Sequence, residues 1–463
     1  MTHSEDVQQV VERTLRWVIS AYRPLKIAEL VEAIAIEVDD TTFDEYSTTE
    51  EVEILKWCSC LIRKTSFQDN DIVELAHFTV EEFLEAIDSK KTPRLARFAD
   101  LKKTSQLYVS RTCLTYLNFD VFAKARVEDW FWLSAHPFWN YAAYGWQLHA
   151  ARHLNDNTTK GLIQRFFQPS ISPNFVIWNR YLWLYDNDLL SRNEFKDVEE
   201  AIERWKEQGF DRVDSISPLH QASNLALEEV VQWLVASGSD PNKPSFGGFP
   251  LENALVPGRD PSFQETKDDI LKVITLLLDN GADPNRISSY GAHKDRTPLL
   301  SAVQLQSPKI IRKLLQSGAS VDMKCVKLLK TMTRKSRKDK TEDLLPTFLE
   351  FVMDVPASVK PALMDLALDY DETAQKAFSM LEQSAMPITE DPELLNVVLR
   401  EASLDGQLNV VLKTLPLVPK SIDSKSPKRG RTALHNASSN DHYDIVQTLL
   451  HHGASPNVQV RSF

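Results

Sequence analysis

Ser217-Pro218-Leu219-His220-Gln221-Ala222 returns as Thr297-Pro298-Leu299-Leu300-Ser301-Ala302 and again as Thr432-Ala433-Leu434-His435-Asn436-Ala437. Matching turns recur as well: Gly238-Ser239-Asp240-Pro241-Asn242, Gly281-Ala282-Asp283-Pro284-Asn285, Gly318-Ala319-Ser320-Val321-Asp322 and Gly453-Ala454-Ser455-Pro456-Asn457. Each part of the pattern has a physical task. Ser217, Thr297 and Thr432 are expected to cap a first helix, and Pro218 and Pro298 take its first position, where a missing N–H costs nothing. The small Ala222, Ala302 and Ala437 let that helix lie close to its neighbours. A second helix carries Val230, Val231, Leu234 and Val235, or Val273, Ile274, Leu277 and Leu278, or Ile310, Ile311, Leu314 and Leu315, or Ile445, Val446, Leu449 and Leu450, a spacing that buries one stripe. The glycines fall where a helix ends on a left-handed residue, and the polar residues and prolines after them read as turns.

Helical pairs of this length read as ankyrin-like repeats, an architecture that argues for binding partners before catalysis. Leu219 to Leu251 is 32 residues, so Phe249-Pro250-Leu251-Glu252-Asn253-Ala254 opens a second repeat. Leu251 to Leu299 is 48 residues because 256–266 and 288–295 lengthen two loops, which a stack tolerates. Between Asp322 and Thr432 the signature fades. Leu363 to Glu382 and Leu394 to Leu415 keep helical apolar patterns and read as degenerate repeats, giving about six units over 213–463. The last full repeat, Arg431 to Asn457, has no evident polar capping repeat after it. Either Asn440, Asp441, His442 and His451 cap it or its end is a contact surface.

The chain has 463 residues, a formal charge of -12, 43% hydrophobic and 25% charged residues, ordinary values for a soluble protein of two or three domains. No apolar run approaches the ~20 residues of a membrane span. The polar start Met1-Thr2-His3-Ser4-Glu5-Asp6 is not a secretory signal, so cytoplasm or nucleus is the expected location, with no membrane partner. Cys58, Cys60, Cys113 and Cys325 are too few and scattered for a disulfide framework, and Cys58-Ser59-Cys60 reads as buried thiols rather than a metal site. His-Glu-x-x-His, Gly-x-Ser-x-Gly, Gly-x-Gly-x-x-Gly and Cys-x-x-Cys are all missing. No catalytic residue, metal or cofactor is therefore expected, and enzyme activity is disfavoured.

Residues 1–100 are organised differently. Val10, Val11, Thr14, Leu15, Val18 and Ile19 form one helical face stopped by Pro24, Ile27 to Ala35 starts a second helix, and Glu50 to Leu61 makes a third. Strands are expected at Ile62 to Thr65 and Ile72 to His77 around the turn Gln68-Asp69-Asn70-Asp71. Three helices and a hairpin make a winged-helix-like domain. The fold class is thus mostly α: a winged-helix-like domain over 1–100, a helical aromatic-rich connector over 101–212, and the ankyrin-repeat solenoid over 213–463.

The segments Trp17–Ala35 (WVISAYRPLKIAELVEAIA) and Leu75–Leu84 (LAHFTVEEFL) resemble the winged-helix region that follows the nucleotide-binding domain of fungal NACHT–ankyrin proteins of the STAND type. Phe138–Arg152 (FWNYAAYGWQLHAAR) is similar to the helical connector those proteins place before their repeats. The resemblance covers almost the whole chain, in the family's order. It implies a part in signal sensing or fungal self/non-self recognition. No Gly here is followed by Lys, so no phosphate-cradling Gly-x-x-x-x-Gly-Lys-Ser/Thr loop exists and ATP hydrolysis is not carried over. What remains looks like a regulatory and sensing half, either a truncated homologue or a portion whose ATPase part is omitted.

A winged helix invites a DNA-binding reading, but the third helix carries Glu50, Glu51 and Glu53 against Lys56 alone. Sequence-specific nucleic-acid binding is not expected. The basic exception is 324–340, with Lys324, Lys327, Lys330, Arg334, Lys335, Arg337, Lys338 and Lys340; without this stretch the formal charge falls from -12 to -19. It reads as a solvated, flexible insertion between repeats, and alternatively as a nuclear-import signal or a non-specific polyanion patch in which Ser336 is a candidate phosphorylation site.

Two further expectations concern sites. Residues 128–185 hold six of the ten tryptophans (Trp130, Trp132, Trp139, Trp146, Trp178 and Trp183), which reads first as a core sealing the first repeat. The alternative is a small-ligand pocket or atypical active site built from Trp130, His136, His149, Arg180 and Asp186, with Glu128 and Asp129 nearby in sequence. The leading functional expectation is a protein partner gripped by the concave face of the repeats. Its candidate contacts are Asn224, Leu225, Glu252, Asn253, Gln304, Gln306, Asn436, Ser439 and Asn440, whose side chains are expected to face outward.

Overall fold

The computed structural model describes residues 5–67, 70–124, 133, 135–150, 156–186, 217–245, 248–255, 267–287, 296–339, 344–351, 355–356, 358–359, 362–363, 366, 392–418, 422–426 and 430–459. The chain forms two compact units, one up to Ala282 and one from Asp283 on. In the first, α1 (Glu5–Ser20), α2 (Ile27–Ala35) and α3 (Glu51–Trp57) precede the hairpin of β2 (Ile62–Phe67) and β3 (Asn70–Leu75). β2 and β3 pair antiparallel from Ile62 opposite Leu75 to Phe67 opposite Asn70. A short strand that the sequence reading missed, β1 (Leu25–Lys26), pairs with β3 and completes a three-stranded sheet in the order β1-β3-β2. Pro24 ends no helix, because α1 already stops at Ser20; it leads into β1 instead. Leu15, Trp17, Leu30, Ile34, Ile54 and Val73 are the buried faces of these elements. Cys58 is buried as expected, but Cys60 is exposed, because the helix has ended and the chain is turning toward β2.

The N-terminal domain does not stop at its hairpin. α4 (Phe78–Glu85) follows, then the connector helices α5 (Leu101–Leu117), α6 (Trp139–Ala150), α7 (Asn157–Phe166) and α8 (Pro173–Asp186). α5 packs on both α1 and α6. The buried Trp17 ring lies edge-on to Phe138 and Tyr141, with centroids 5.2 Å and 5.5 Å away. Arg23 and Glu29 form a two-bond ion pair, each contact 2.7 Å, and Arg23 also stacks 5.0 Å from the Tyr141 ring. The Glu32 carboxylate accepts from the Phe138 amide at 2.8 Å and the Tyr116 hydroxyl at 3.0 Å, so α2 is tied to the connector at two points.

Repeat helices follow as pairs. The first unit holds α9 (Pro218–Asn224) with α10 (Glu228–Ala236) and α11 (Pro250–Ala254) with α12 (Lys267–Asp279). The second holds α13 (Pro298–Gln304) with α14 (Pro308–Gln316), α15 (Met323–Asp339), α16 (Leu345–Leu349), α17 (Pro392–Leu404) with α18 (Leu408–Thr414), and α19 (Ala433–Ser439) with α20 (Tyr443–His451). Gly238, Gly281, Gly318 and Gly453 have φ between 87° and 92°. In each of these turns the following residue donates back to the helix, as Ser239 does to the Leu234 carbonyl at 3.0 Å and Ala454 to Leu449 at 3.0 Å. Thr297 and Thr432 cap their helices through the side chain, whereas Ser217 makes no such bond.

The turn inside each pair carries its own signature. Ala226, Gly406 and Asp441 all have positive φ, and the next residues Leu227, Gln407 and His442 donate to Ala222, Ala402 and Ala437 at 3.0, 2.9 and 3.1 Å. Gln306 has the same left-handed φ. The α17/α18 pair, whose sequence lacks the opening motif, therefore has the backbone turn of the overt repeats. The expected degenerate repeat at Leu363 to Glu382 lies almost wholly outside the described residues.

Candidate functional site

In the first helices, stacking consumes one set of side chains and leaves another. Leu219 and Ala222 in α9, Leu299 and Ala302 in α13, and Leu434 and Ala437 in α19 are buried. Gln304, Ser439 and Asn440 are exposed, while Asn224, Leu225, Asn253 and Gln306 are half-buried at the helix ends and turns. An arginine lies alongside two of these positions. Arg296 Nη1 donates to Gln304 Oε1 at 3.0 Å, and Arg431 Nη1 donates to Ser439 Oγ at 3.4 Å. The repeated Arg-Thr dipeptide before α13 and α19 is the signal that sequence reading passed over.

Two candidate contacts do not face outward. Glu252 is 1% exposed, and its Oε2 accepts from the Phe249 amide at 3.0 Å, satisfying the start of α11. Asn436 is 6% exposed and donates through Nδ2 to the Arg400 carbonyl at 2.9 Å, which fastens α19 to α17. A buried polar group so close to backbone is retained by the hydrogen bond it makes, and neither side chain is presented to a partner. His220 is also internal: its Nε2–H donates to the Gly248 carbonyl at 3.1 Å, and burial holds the ring's pKa down at about 4.

The aromatic connector is a packed core. Trp139, Trp146, Trp178, Phe138, Phe166, Phe167 and Phe175 are fully buried, and Trp178 lies edge-on to Trp146 and Phe166 with centroids 6.0 Å and 5.2 Å away. His149 is corrected as a ligand contact, because both ring nitrogens are committed. The Tyr22 amide donates to Tyr141 Oη (3.1 Å), Tyr141 O–H to His149 Nε2 (3.0 Å), His149 Nδ1–H to Gln106 Oε1 (2.6 Å), and Gln106 Nε2 to the Ser20 carbonyl (3.1 Å). This chain fixes the tautomer, and burial pushes the His149 pKa down to about 4. His136 is half-buried, edge-on to Phe122 at 5.4 Å, and Arg180 is half-buried on α8. Trp130, Glu128, Asp129 and the Asp186 side chain lie outside the described residues. Between α7 and α10, Ile163, Val230 and Trp233 help line a space of only ≈ 20 Å³, about one water. The connector thus lies directly against the first repeat's second helix.

The basic stretch is corrected from an insertion to a helix. Cys325, Val326 and Leu329 are buried along one face of α15, which packs on α13. Asp322 accepts from the Cys325 amide at 2.7 Å and caps its start. Lys324 and Lys327 are exposed and Lys330 is half-buried. Arg334, Lys335, Arg337 and Lys338 belong to the last two turns of the same helix. On the hairpin of the winged helix both cations are matched by acids: Lys64 contacts Glu51 and Asp71, and Arg63 contacts Glu74. Among the described residues no group of three or more His, Cys, Asp or Glu is placed to hold a metal ion, and no helix is long and apolar enough to cross a membrane.

Residues 1–94 match the family described as GPI inositol-deacylase, winged helix domain, and residues 214–245, 294–326 and 429–461 match the family Ankyrin repeat. The chain is therefore a mostly helical protein in which a winged-helix domain and a helical connector precede an ankyrin-repeat solenoid. Its repeats are of the kind typical of protein–protein interaction modules. No curated protein matches the chain. Among solved structures, the human ASB11 ankyrin repeat domain is 17% identical over 52% of this chain and 100% of that one, with a TM-score of 0.25. The ankyrin repeat domain of Bcl-3, of the IkappaB family, is 20% identical over 53% of this chain and 89% of that one, with a TM-score of 0.23. These likenesses are too loose to bear on shape or partner.

Proposed function

We propose that the chain is an interaction and sensing module that captures a protein partner on the first helices and turns of its ankyrin repeats. The observation that carries this reading is the division of labour in those helices, where Leu and Ala positions are spent on packing while, in the second unit, Gln304, Ser439 and Asn440 end on the surface. Arg296 and Arg431 extend the same surface with a cation that recurs at one repeat position. Substituting Gln304, Ser439 and Asn440 together with larger charged residues leaves the packed Leu and Ala positions in place but removes the Ser439 and Asn440 bonds to the Asn436 carbonyl, so an unchanged circular-dichroism melt is required of the variant. Affinity purification from the native cell, followed by mass spectrometry, is expected to lose its main protein partner with this variant. Capture that is unchanged with the variant, yet abolished by deleting the repeats, refutes the surface assignment.

The order winged helix, aromatic connector, ankyrin repeats also supports placing the chain with the sensing halves of fungal NACHT–ankyrin proteins, in a cytoplasmic or nuclear signalling role. Co-purification of a nucleotide-binding partner under the same conditions is the outcome that supports this narrower placement; a partner set with no signalling ATPase counts against it.

A further inference from the structure

From the shape and charge of α15, we infer that its basic face is a docking surface for a short acidic segment of a protein partner. This inference deepens the interaction reading above and rests on it. α15 occupies the place of a first helix, packing on α13, yet it runs over 17 residues where α9, α13 and α19 each have 7. Gln306, in the turn that closes α13, donates to Met332 Sδ at 3.6 Å, so residues 333–339 continue past that turn. At 1.5 Å per residue they add roughly 10 Å of helix, and the whole of α15 is roughly 25 Å long. It carries seven Lys and Arg residues against the single Asp339. Arg296 adds a cation immediately before the adjacent α13.

Three physical arguments select the occupant. An amphipathic basic helix ordinarily offers its apolar face to a partner groove or a bilayer. Here that face is spent, because Cys325, Val326 and Leu329 are fully or almost fully buried within the chain. Among the described residues the helix presents Lys324 and Lys327 to solvent and half-exposes Lys330, so a ligand that docks there is recognised by its negative charge. A long nucleic acid is disfavoured because the chain outside 324–340 carries a formal charge of -19, which repels any polyanion that extends beyond the helix. α15 also contains no Phe, Tyr, Trp or His on which a base could stack. An acidic peptide of helix-matched length meets the cations and ends before it reaches the acidic surroundings, from which it is screened beyond about 8 Å at physiological salt.

The test is a fluorescence-anisotropy titration of the full chain with a short labelled Glu-Ser peptide, run beside a long single-stranded RNA and phosphatidylserine vesicles. The peptide is expected to bind, to weaken as salt rises, and to lose about tenfold in affinity in the K324E/K327E/K330E variant. The K324R/K327R/K330R variant is expected to retain binding, and an unchanged circular-dichroism melt shows that the reversed variant is folded. Peptide binding that is absent, or equal in wild type and the reversed variant, overturns the inference. So does RNA or vesicle binding that is tighter than peptide binding and lost in the same variant. Because the titration varies only α15 and uses a defined peptide, its failure leaves the Gln304, Ser439 and Asn440 capture experiment standing, and the reverse also holds.

Discussion

Ala226, Gln306 and Asp441 occupy the turn between paired helices with φ of 48°, 51° and 57°, a conformation that Gly406 meets with a φ of 73°. A side chain in this left-handed region costs roughly 1–2 kcal/mol. Glycine removes that strain but adds roughly 0.4–1 kcal/mol of unfolded-state entropy to be lost on folding. Ala226→Gly is therefore expected to stabilise the α9/α10 pair by roughly 0.5–1 kcal/mol, with no side-chain hydrogen bond sacrificed. Repeat arrays open locally, so the informative assay is native-state hydrogen exchange of peptides from 218–236, where protection should rise about 2- to 5-fold. Gly406→Ala has the opposite sign. Its new Cβ meets the strain and also stands 2.7 Å from His442 Cε1, a ring held in place by its bond to the Leu404 carbonyl at 2.9 Å. A loss of roughly 2–3 kcal/mol is expected in α17–α20, and a second His442→Ala change should recover the part due to the ring. Faster exchange in Ala226→Gly, or a neutral Gly406→Ala, would refute the idea that one strained turn recurs along the array.

Further outcomes follow from the first unit and from the caps. Glu29 is 3% exposed on its side chain and accepts from both Arg23 and the Lys26 amide, so Glu29→Ala should destabilise the winged helix by about 3 kcal/mol, read as a lower thermal midpoint in Trp fluorescence. His149 has a pKa near 4 when folded against ~6.5 when unfolded. The unfolded chain binds the extra proton in that window, so stability is intact above pH 6.5 and falls by up to ~3 kcal/mol as pH drops from 6.5 to 4. His149→Gln should flatten the corresponding acid limb of urea melts followed against pH. Thr432→Ala should cost about 1 kcal/mol in α19, while Ser217→Ala should be near neutral in α9, because Thr432 accepts from the His435 amide and Ser217 caps nothing. Equal losses at the two positions, measured by exchange of their helices, would contradict that assignment.

Much of the fold was readable because its rules are local. Pro at the first helical position, Gly at a left-handed stop and apolar stripes every three to four residues each act within one turn of chain. The β1 strand escaped because two residues carry no periodicity; only the distant Val73 gives Leu25 a ladder partner. α15 was misread because its charge density overshadows Cys325, Val326 and Leu329, three apolar residues enough to bury one face. Site assignments were less legible. An outward-facing Glu252 or Asn436 and an inward-facing one have the same sequence. For Glu252 the deciding partner is the Phe249 N–H three residues back, a cap made without a Ser or Thr to announce it; for Asn436 it is the Arg400 carbonyl, which the fold brings from 36 residues away. His149 misled for the same reason, since its partners Tyr141 and Gln106 lie on two helices. The Arg-Thr dipeptides are plain in the sequence, but only the fold brings Arg296 and Arg431 to the far ends of their helices.

The Trp17 ring has a consequence for how such chains exchange parts during evolution. It sits between a winged helix matched over residues 1–94 and connector rings at Tyr108, Phe138 and Tyr141, all within 6.5 Å of its centroid. A crossover near residue 94 would pair one ancestor's tryptophan with another's aromatic socket, leaving either an overfilled or a hollow joint. Selection should therefore inherit Glu5 to Asp186 as one block, with the breakpoints that survive falling toward the repeats, where each helix pair answers mainly to its nearest neighbours.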